Sequence, residues 1–473
     1  MTLRPILGLA ALLCSTPVLA QSITPQMLRD HVAVLASDTY EGREPGTAGG
    51  DRAEAYVLQA FADAGLKPGA PDGRWRQEVS LTSVRSVSSS GSVTRDGRTT
   101  SLPGVVATGK MPDTRIAGVG MVYAGGLDGA ALAAGPVRDK VVVMTLGPGR
   151  SAKLEALARA GAAAAIFVAP ATLKEAELRE AFGHATVRDG SVEPMLVAYL
   201  SEAQAAALLG PQAATLTKVG AAKDFRAVAL DGTVALSAVT VRNRYTTANI
   251  VGMIPGTATP NEAVLLSAHW DHIGICRPEG APDRICNGAA DNASGTAILI
   301  EVAKVLAKGP PSKRSIYFVA TTAEEKGLIG ADAYAAAVAE TPLKIVANLN
   351  IDTAAIVPTG MPVAMVGRGN HPKIDAIVDA TARAIGRKVD TDTEANIMVQ
   401  RQDGWAFGKR GIPAVMATGS VSDMKRLFAY LEGPYHKPND DLAHIDLSGA
   451  AEDADLHVAL ARALADPARY PAN

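Results

Sequence analysis

The chain has 473 residues, a formal net charge of -2 and 20% charged residues, with both signs interspersed. No basic stretch stands out, so no nucleic-acid partner is expected. At roughly 100–200 residues per domain, the length predicts two or three domains and ample chain for a core.

The first element is "MTLRPILGLAALLCSTPVLA", with one Arg, an apolar run and a small-residue end at Ala20. This is the pattern of a secretory signal peptide, too short for the roughly 20 apolar residues of a membrane span. Cleavage near Ala20–Gln21 is expected, giving an exported protein, periplasmic or secreted, with no membrane span. Cys14 would leave with this leader, and Cys276 and Cys286 would remain, in "GICRPEGAPDRICNG". An oxidising compartment favours a disulfide between them.

"TPQMLRDHVAVLA" reads as a helix behind a Thr cap, "EGREPGTAGG" as a loop and "DRAEAYVLQAFADAGL" as a second amphipathic helix. From Gln77 to Pro103, short alternating runs predict β-hairpins. "GVGMVYAGG", "DKVVVMTLG", "LEALARAGAAAAIFVA" and "PMLVAYLSEAQAAALLG" follow as short strands with helices between, a self-contained β-rich α+β module. Beyond it, "EAVLLSA" (Glu262–Ala268), "SIYFVAT" (Ser315–Thr321) and "IVANLNI" (Ile345–Ile351) read as buried strands, with "MPVAMVG" and "PAVMATG" later. "SGTAILIEVAKVLAKG" has helical apolar spacing. Apolar strands alternating with amphipathic helices predict an α/β fold of three layers around a mixed, largely parallel sheet.

The chemistry gathers where those strands end. "VLLSAHWDH" closes on His269, Trp270, Asp271 and His272; "GAADNASG" brings Asp291; "YFVATTAEE" closes on Glu324 and Glu325; "IVANLNID" closes on Asp352; "GPYHKPNDD" offers His436. Open α/β sheets build sites at the carboxyl edge. His269, Asp291, Glu325, Asp352 and His436 suffice for two Zn²⁺ per chain, with nitrogen and oxygen donors suited to zinc. Asp291 is the best bridge, one oxygen for each ion. Consecutive side chains leave the backbone in different directions, so Glu325 can bind metal while Glu324 serves a shared water as general base. Asp271 is placed to orient the His269 imidazole or to support the site from behind. Asn292 opens a glycosylation sequon that reads as a chance match at a buried helix start.

These motifs, "SAHWDHIG", "GAADNASG", "AEEKGLIGA", "LNID" and "YHKPNDD", resemble those of the co-catalytic zinc aminopeptidase family, which includes bacterial leucyl aminopeptidases and the glutamate carboxypeptidase II and transferrin-receptor branch. The resemblance covers about Ile23–Leu81 and Val239–Asp466. The stretch between resembles a protease-associated domain, so the expected organisation is 1–20 signal peptide, 21–81 and 239–473 peptidase domain, and 82–238 insertion. The resemblance implies His269 and Asp352 on one zinc, Glu325 and His436 on the other, Asp291 between them and Glu324 as base. Asp403 and Tyr435 are expected at the substrate pocket. Two departures stand out: Gln402-Asp403-Gly404 replaces the usual Ser-Asp-His, and Thr353-Ala354-Ala355 the usual Met-x-Gly.

The expectation is an exported zinc aminopeptidase acting on peptides. A carboxypeptidase, dipeptidase or glutaminyl cyclase on the same site, a silent binding homologue, and an interaction module with residual activity are the alternatives. Oligomeric state and preferred side chain are not legible.

Overall fold

A computed structural model describes residues 22–471 other than 110, 148, 174, 190–194 and 223. The expected leader, 1–20, lies outside the described residues. The chain divides into two compact units, one running to Gln77 and resuming at Ala248, the other Glu78–Thr247. The exchange points fall outside the expected 82–238 on both sides. The strands Arg76–Arg95 and Val228–Ile254 run straight through them, so no loop punctuates the boundary.

In the first unit, α1 (Pro25–Leu35) starts where the Thr24 side chain accepts from Met27 N–H at 3.3 Å, and α2 (Ala48–Asp63) is capped likewise by Thr47. Its sheet is formed by the end of β1 (Val228–Ile254) with β2 (Thr259–His269), β3 (Arg314–Thr321), β4 (Lys344–Asn350), β5 (Ala364–Val366) and β6 (Ala414–Thr418). The order is β5-β6-β4-β2-β3-β1. The pairs β3–β2, β2–β4 and β4–β6 are parallel, and both outer pairs are antiparallel. Side chains alternate across the sheet, so Val264, Leu266 and Ala268 enter one core and Ala263 and Leu265 the other. Both faces are covered, which is why β2 reads as an unbroken apolar run. Helices α3 (Gly295–Lys308) and α7 (Leu447–Leu464) pack on the first core; α4 (Ile329–Ala339) contributes to the second. Between these, α5 is Pro372–Ala384 and α6 is Met424–Glu432. Because β2, β3 and β4 are parallel, their carboxyl ends share one edge.

At the end of the strand Arg76–Arg95 the second unit forms a short hairpin, Ser92–Arg95 against Arg98–Ser101, turning at Asp96-Gly97. Its centre is a parallel ladder of Asp113–Gly125, Val141–Thr145, Ala164–Val168 and Leu196–Leu200, and the helix Arg150–Ala160 crosses between the second and third. No helix among the described residues is long and apolar enough to cross a membrane.

Candidate metal centre

Each expected ligand is delivered by the end of an element. His269 is the last residue of β2. β3 ends at Thr321, and Ala323, at φ +53°, turns the chain so that Glu324 and Glu325 face the same edge. Asp352 follows β4. Asp291 lies in the tight turn before α3, its N–H bonded to Asp440 Oδ2 at 3.1 Å, with Ala290 N–H on Oδ1 at 2.9 Å. His436 follows α6.

Two groups of donor atoms result: His269, Asp291 and Asp352, and His272, Asp291, Glu325 and His436. Asp291 belongs to both. Its Oδ1 lies 3.2 Å from His269 Nε2, and its Oδ2 3.3 Å from His436 Nε2. His269 Nε2 is also 3.5 Å from Asp352 Oδ1, and His436 Nε2 is 3.0 Å from Glu325 Oε2. Ligands held at about 2.0–2.2 Å by one zinc lie about 3.4 Å apart at the tetrahedral angle. The spacings therefore suit two cations flanking Asp291. His436 Nε2 and Glu325 Oε1 are buried without a hydrogen-bond partner among the described residues, which fits donors meant for an ion.

The adjacent glutamates are pushed apart electrostatically. Burial raises both carboxyls. For Glu325 the contacts with His272 and His436 outweigh burial and hold it down at about 2. For Glu324 burial wins over the His269 charge, and Glu325, Asp403 and Asp352 add to it, so its carboxyl is raised well above the ordinary range. One is thereby suited to stay ionised against cations and the other to carry a proton. Burial alone would lower the His269 imidazole, but Glu324, Asp352 and Asp291 hold it well above its usual value.

The other expected residues take distinct places. The His269 Nδ1 contact is the main-chain carbonyl of Asp271, at 3.0 Å, whereas the Asp271 carboxylate accepts from Glu324 N–H at 3.2 Å. Asp271 thus fixes the backbone of Glu324. Tyr435 lines the cavity over the site and stacks on His436, ring centroids 3.7 Å apart. Asp403 does not line it: fully buried, it takes the hydroxyl of Thr321 at the end of β3. The adjacent Gln402 does line it, and Asp403 is held by a hydroxyl at the end of a neighbouring strand. Cys276 and Cys286 form the expected disulfide. Asn292 is fully buried, its amide donating to Ile351 O at 2.9 Å and accepting from Gly295 N–H, so its sequon is inaccessible.

Three contributors were not singled out from sequence. Asp440, in "YHKPNDD", positions Asp291. His272 faces Glu325. Arg43, in the "EGREPGTAGG" loop, is wholly buried and donates to Trp270 O (2.9 Å), Leu35 O (2.8 Å), Asn287 O (2.6 Å) and Gly288 O (2.9 Å). It ties the His269 and Asp291 segments to the N-terminal helices.

The cavity has a volume of about 490 Å³ including its mouth. Asp291, Glu324 and Asp352 line it together with Met398, Met416, Val421, Leu427 and Leu431, and Thr353, Arg401 and Gln402 also reach it.

Residues 249–461 match the profile of peptidase family M28. The chain is 28% identical over 220 residues to Aminopeptidase YwaD of Bacillus subtilis, covering 45% of this chain and 43% of that protein. It is 24% identical over 225 residues to Leucine aminopeptidase 1 of Ajellomyces capsulatus, covering 46% of this chain and 56% of that one. The matches thus span less than two thirds of these curated relatives. The fold is similar to the aminopeptidase from Aneurinibacillus sp. strain AM-1, with TM-score 0.59, 19% identity and 94% of each chain covered. It is also similar to BSAP, a zinc aminopeptidase from Bacillus subtilis, with TM-score 0.51, 17% identity, and 93% of this chain and 94% of that one covered.

Proposed function

We propose that this chain, whose residues 249–461 match the profile of peptidase family M28, is a zinc-dependent aminopeptidase that removes N-terminal residues from peptides. The observation that carries this is Asp291, whose two oxygens face two separate donor groups, beside a glutamate pair pushed to opposite protonation tendencies. His269 and Asp352 would hold one zinc, Glu325 and His436 the other, and Asp291 would bridge them. When bound, such a pair supplies Lewis acidity and lowers the pKa of water between the ions. Glu324 takes the proton of the attacking water on its carboxylate and delivers it to the leaving amine. Asp271, through the Glu324 N–H, keeps that carboxylate aimed at the site. Tyr435 covers His436 and restricts its ring.

The five apolar side chains that line the cavity suit an uncharged aliphatic or thioether side chain on the substrate. Relatives named as aminopeptidases support cleavage from the N-terminus over the carboxypeptidase, dipeptidase and cyclase alternatives. Export through the leader at Met1–Ala20 agrees with a disulfide beside the site. The inserted unit, read as a protease-associated domain, would serve a role other than the chemistry.

The test is hydrolysis of leucyl, methionyl, lysyl and glutamyl p-nitroanilides by the protein from Gln21 onward, before and after chelation. Activity on the apolar pair, lost with chelator and restored near two zinc equivalents, supports the reading. Two bound zincs with no aminoacyl hydrolysis would move the site to another reaction, and a protein that binds no zinc would overturn the centre.

A further inference from the structure

We propose that His272 is a further ligand of the ion held by Glu325 and His436, so that the two metal sites are unequal: one closed by four protein residues, one open to the cavity. This rests on the two-metal reading above and adds a residue to it.

His272 is fully buried, and neither ring nitrogen has a hydrogen-bond partner among the described residues. A buried polar group left unsatisfied is destabilising. Yet the fold is built around this ring. The His272 N–H donates to Arg43 O at 3.3 Å, and a Cβ at Gly288 would lie 2.5 Å from the imidazole carbons. Gly288, at φ +58°, is therefore needed both for its backbone and for the space it leaves. Nδ1 stands 2.7 Å from Glu325 Oε1, which also lacks a hydrogen-bond partner, and 3.9 Å from Asp291 Oδ2. The nitrogen and the oxygen are in contact without hydrogen-bond alignment. His436 Nε2 stands in the same relation to Glu325 Oε2 and Asp291 Oδ2. By contrast, His269 Nδ1, which faces away from the site, has its main-chain carbonyl. Donors of one zinc at right angles lie about 2.8–3.1 Å apart, near the His272–Glu325 contact. The imidazole therefore behaves as the other donors do, not as an outer partner bonded to one of them.

The cavity supports the asymmetry. Of the donors, Asp291, shared by both ions, and Asp352 line it, whereas His269, His272, Glu325 and His436 do not. Sites with four protein donors are closed and structural, while sites with three keep a position for water or substrate. The ion at His269, Asp291 and Asp352 is the one that meets substrate, and the ion at His272, Asp291, Glu325 and His436 is the anchored one.

The experiment uses the metal itself. The stripped mature protein is titrated with Zn²⁺ against a chromophoric chelator, and zinc-edge X-ray absorption is recorded at one equivalent and at two. Unequal steps are expected, with two imidazoles around zinc in the one-equivalent form. His272→Ala should weaken the tighter step by about tenfold or more, a loss seen even for outer partners, and leave one imidazole. A wild-type one-equivalent form with a single imidazole overturns the assignment while sparing the two-metal reading, and needs no variant to fold. Weaker binding in His272→Ala with an unchanged imidazole count makes His272 an outer support and also overturns it. Wild type that binds no zinc overturns both.

Discussion

Replacing Arg43 by alanine tests whether the centre depends on a residue that touches no candidate ligand side chain. The guanidinium makes four hydrogen bonds, all to main-chain carbonyls, and is completely buried. Burial lowers it only to about 10, against the pull of Asp291, Asp440, Asp271 and Glu325, so it remains a cation at neutral pH. Alanine leaves three buried acceptors without donors, since Gly288 O also accepts from Ala293 N–H at 3.1 Å. At about 1 kcal/mol each, the low end for an unsatisfied buried group, the loss is about 3 kcal/mol. For a unit of this size that corresponds to roughly 5 °C in Tm. Lysine keeps the charge but donates from one nitrogen and cannot span carbonyls spread around a planar fork, so Arg43→Lys should recover only part of it.

The same arginine is a fixed positive charge beneath a carboxylate cluster. Bound zinc would share that task, so the deficit should be larger in chelated protein than in protein given zinc. The assay is thermal unfolding by circular dichroism of wild type, Arg43→Ala and Arg43→Lys, each with EDTA and with zinc. A shift under about 2 °C in Arg43→Ala with EDTA, well below the roughly 5 °C expected, would show that these carbonyls do not depend on Arg43. Equal deficits with and without zinc would refute the electrostatic half of the argument.

Three other outcomes follow from the structure. Glu324→Gln should lower kcat by about 10²–10⁴-fold, the usual contribution of a general base, with zinc content unchanged; near-normal turnover would remove Glu324 from that role. His457 is buried against Asp453 O at 2.7 Å, and burial lowers its imidazole from 6.5 to about 4. Its folded pKa is below the unfolded one, so the stability it permits is present above about pH 6.5 and falls as pH drops toward 4. The loss is about 2 kcal/mol by pH 5, and His457→Leu should flatten unfolding free energy between pH 7.5 and 5 by that amount; parallel profiles would contradict it. Reducing Cys276–Cys286 opens a loop of sequence separation 10 and should cost about 3 kcal/mol, measured by denaturant unfolding with and without reductant; coincident midpoints would mean the loop is held by its other contacts.

The convergence of the five residues expected as ligands was legible because each follows an apolar strand or a short motif at the same edge of a parallel sheet. There a chemistry-bearing side chain interrupts an otherwise apolar run. His272 was harder to place. Within β2 the side chains alternate, but beyond His269 the strand ends, and a residue three positions on turns back toward the same point. Arg43 left no side-chain signature at all, since its partners are carbonyls that every residue carries. The partner of Asp403 was hidden for a related reason: the Thr321 hydroxyl that engages it belongs to β3, far away in sequence. The unit boundaries were obscured because Arg76–Arg95 and Val228–Ile254 cross them as continuous strands without a turn signal.

The adjacent pair Glu324-Glu325 shows why the site needs its surroundings. On an exposed helix two neighbouring glutamates would titrate alike. Here Glu325 meets His272 at 2.7 Å and His436 at 3.0 Å, while the nearest imidazole nitrogen to Glu324 is His269 Nε2, at 4.0 Å. A difference of about an ångström in the distance to a cation, inside a poorly solvated site, is enough to send the two carboxyls in opposite directions. What sets that difference is the backbone: Ala323 in the left-handed region and the Asp271 carboxylate on the Glu324 N–H direct one side chain toward the histidines and the other toward the cavity. Asp271→Asn keeps an acceptor for that N–H and should preserve the division, whereas Asp271→Ala should blur it.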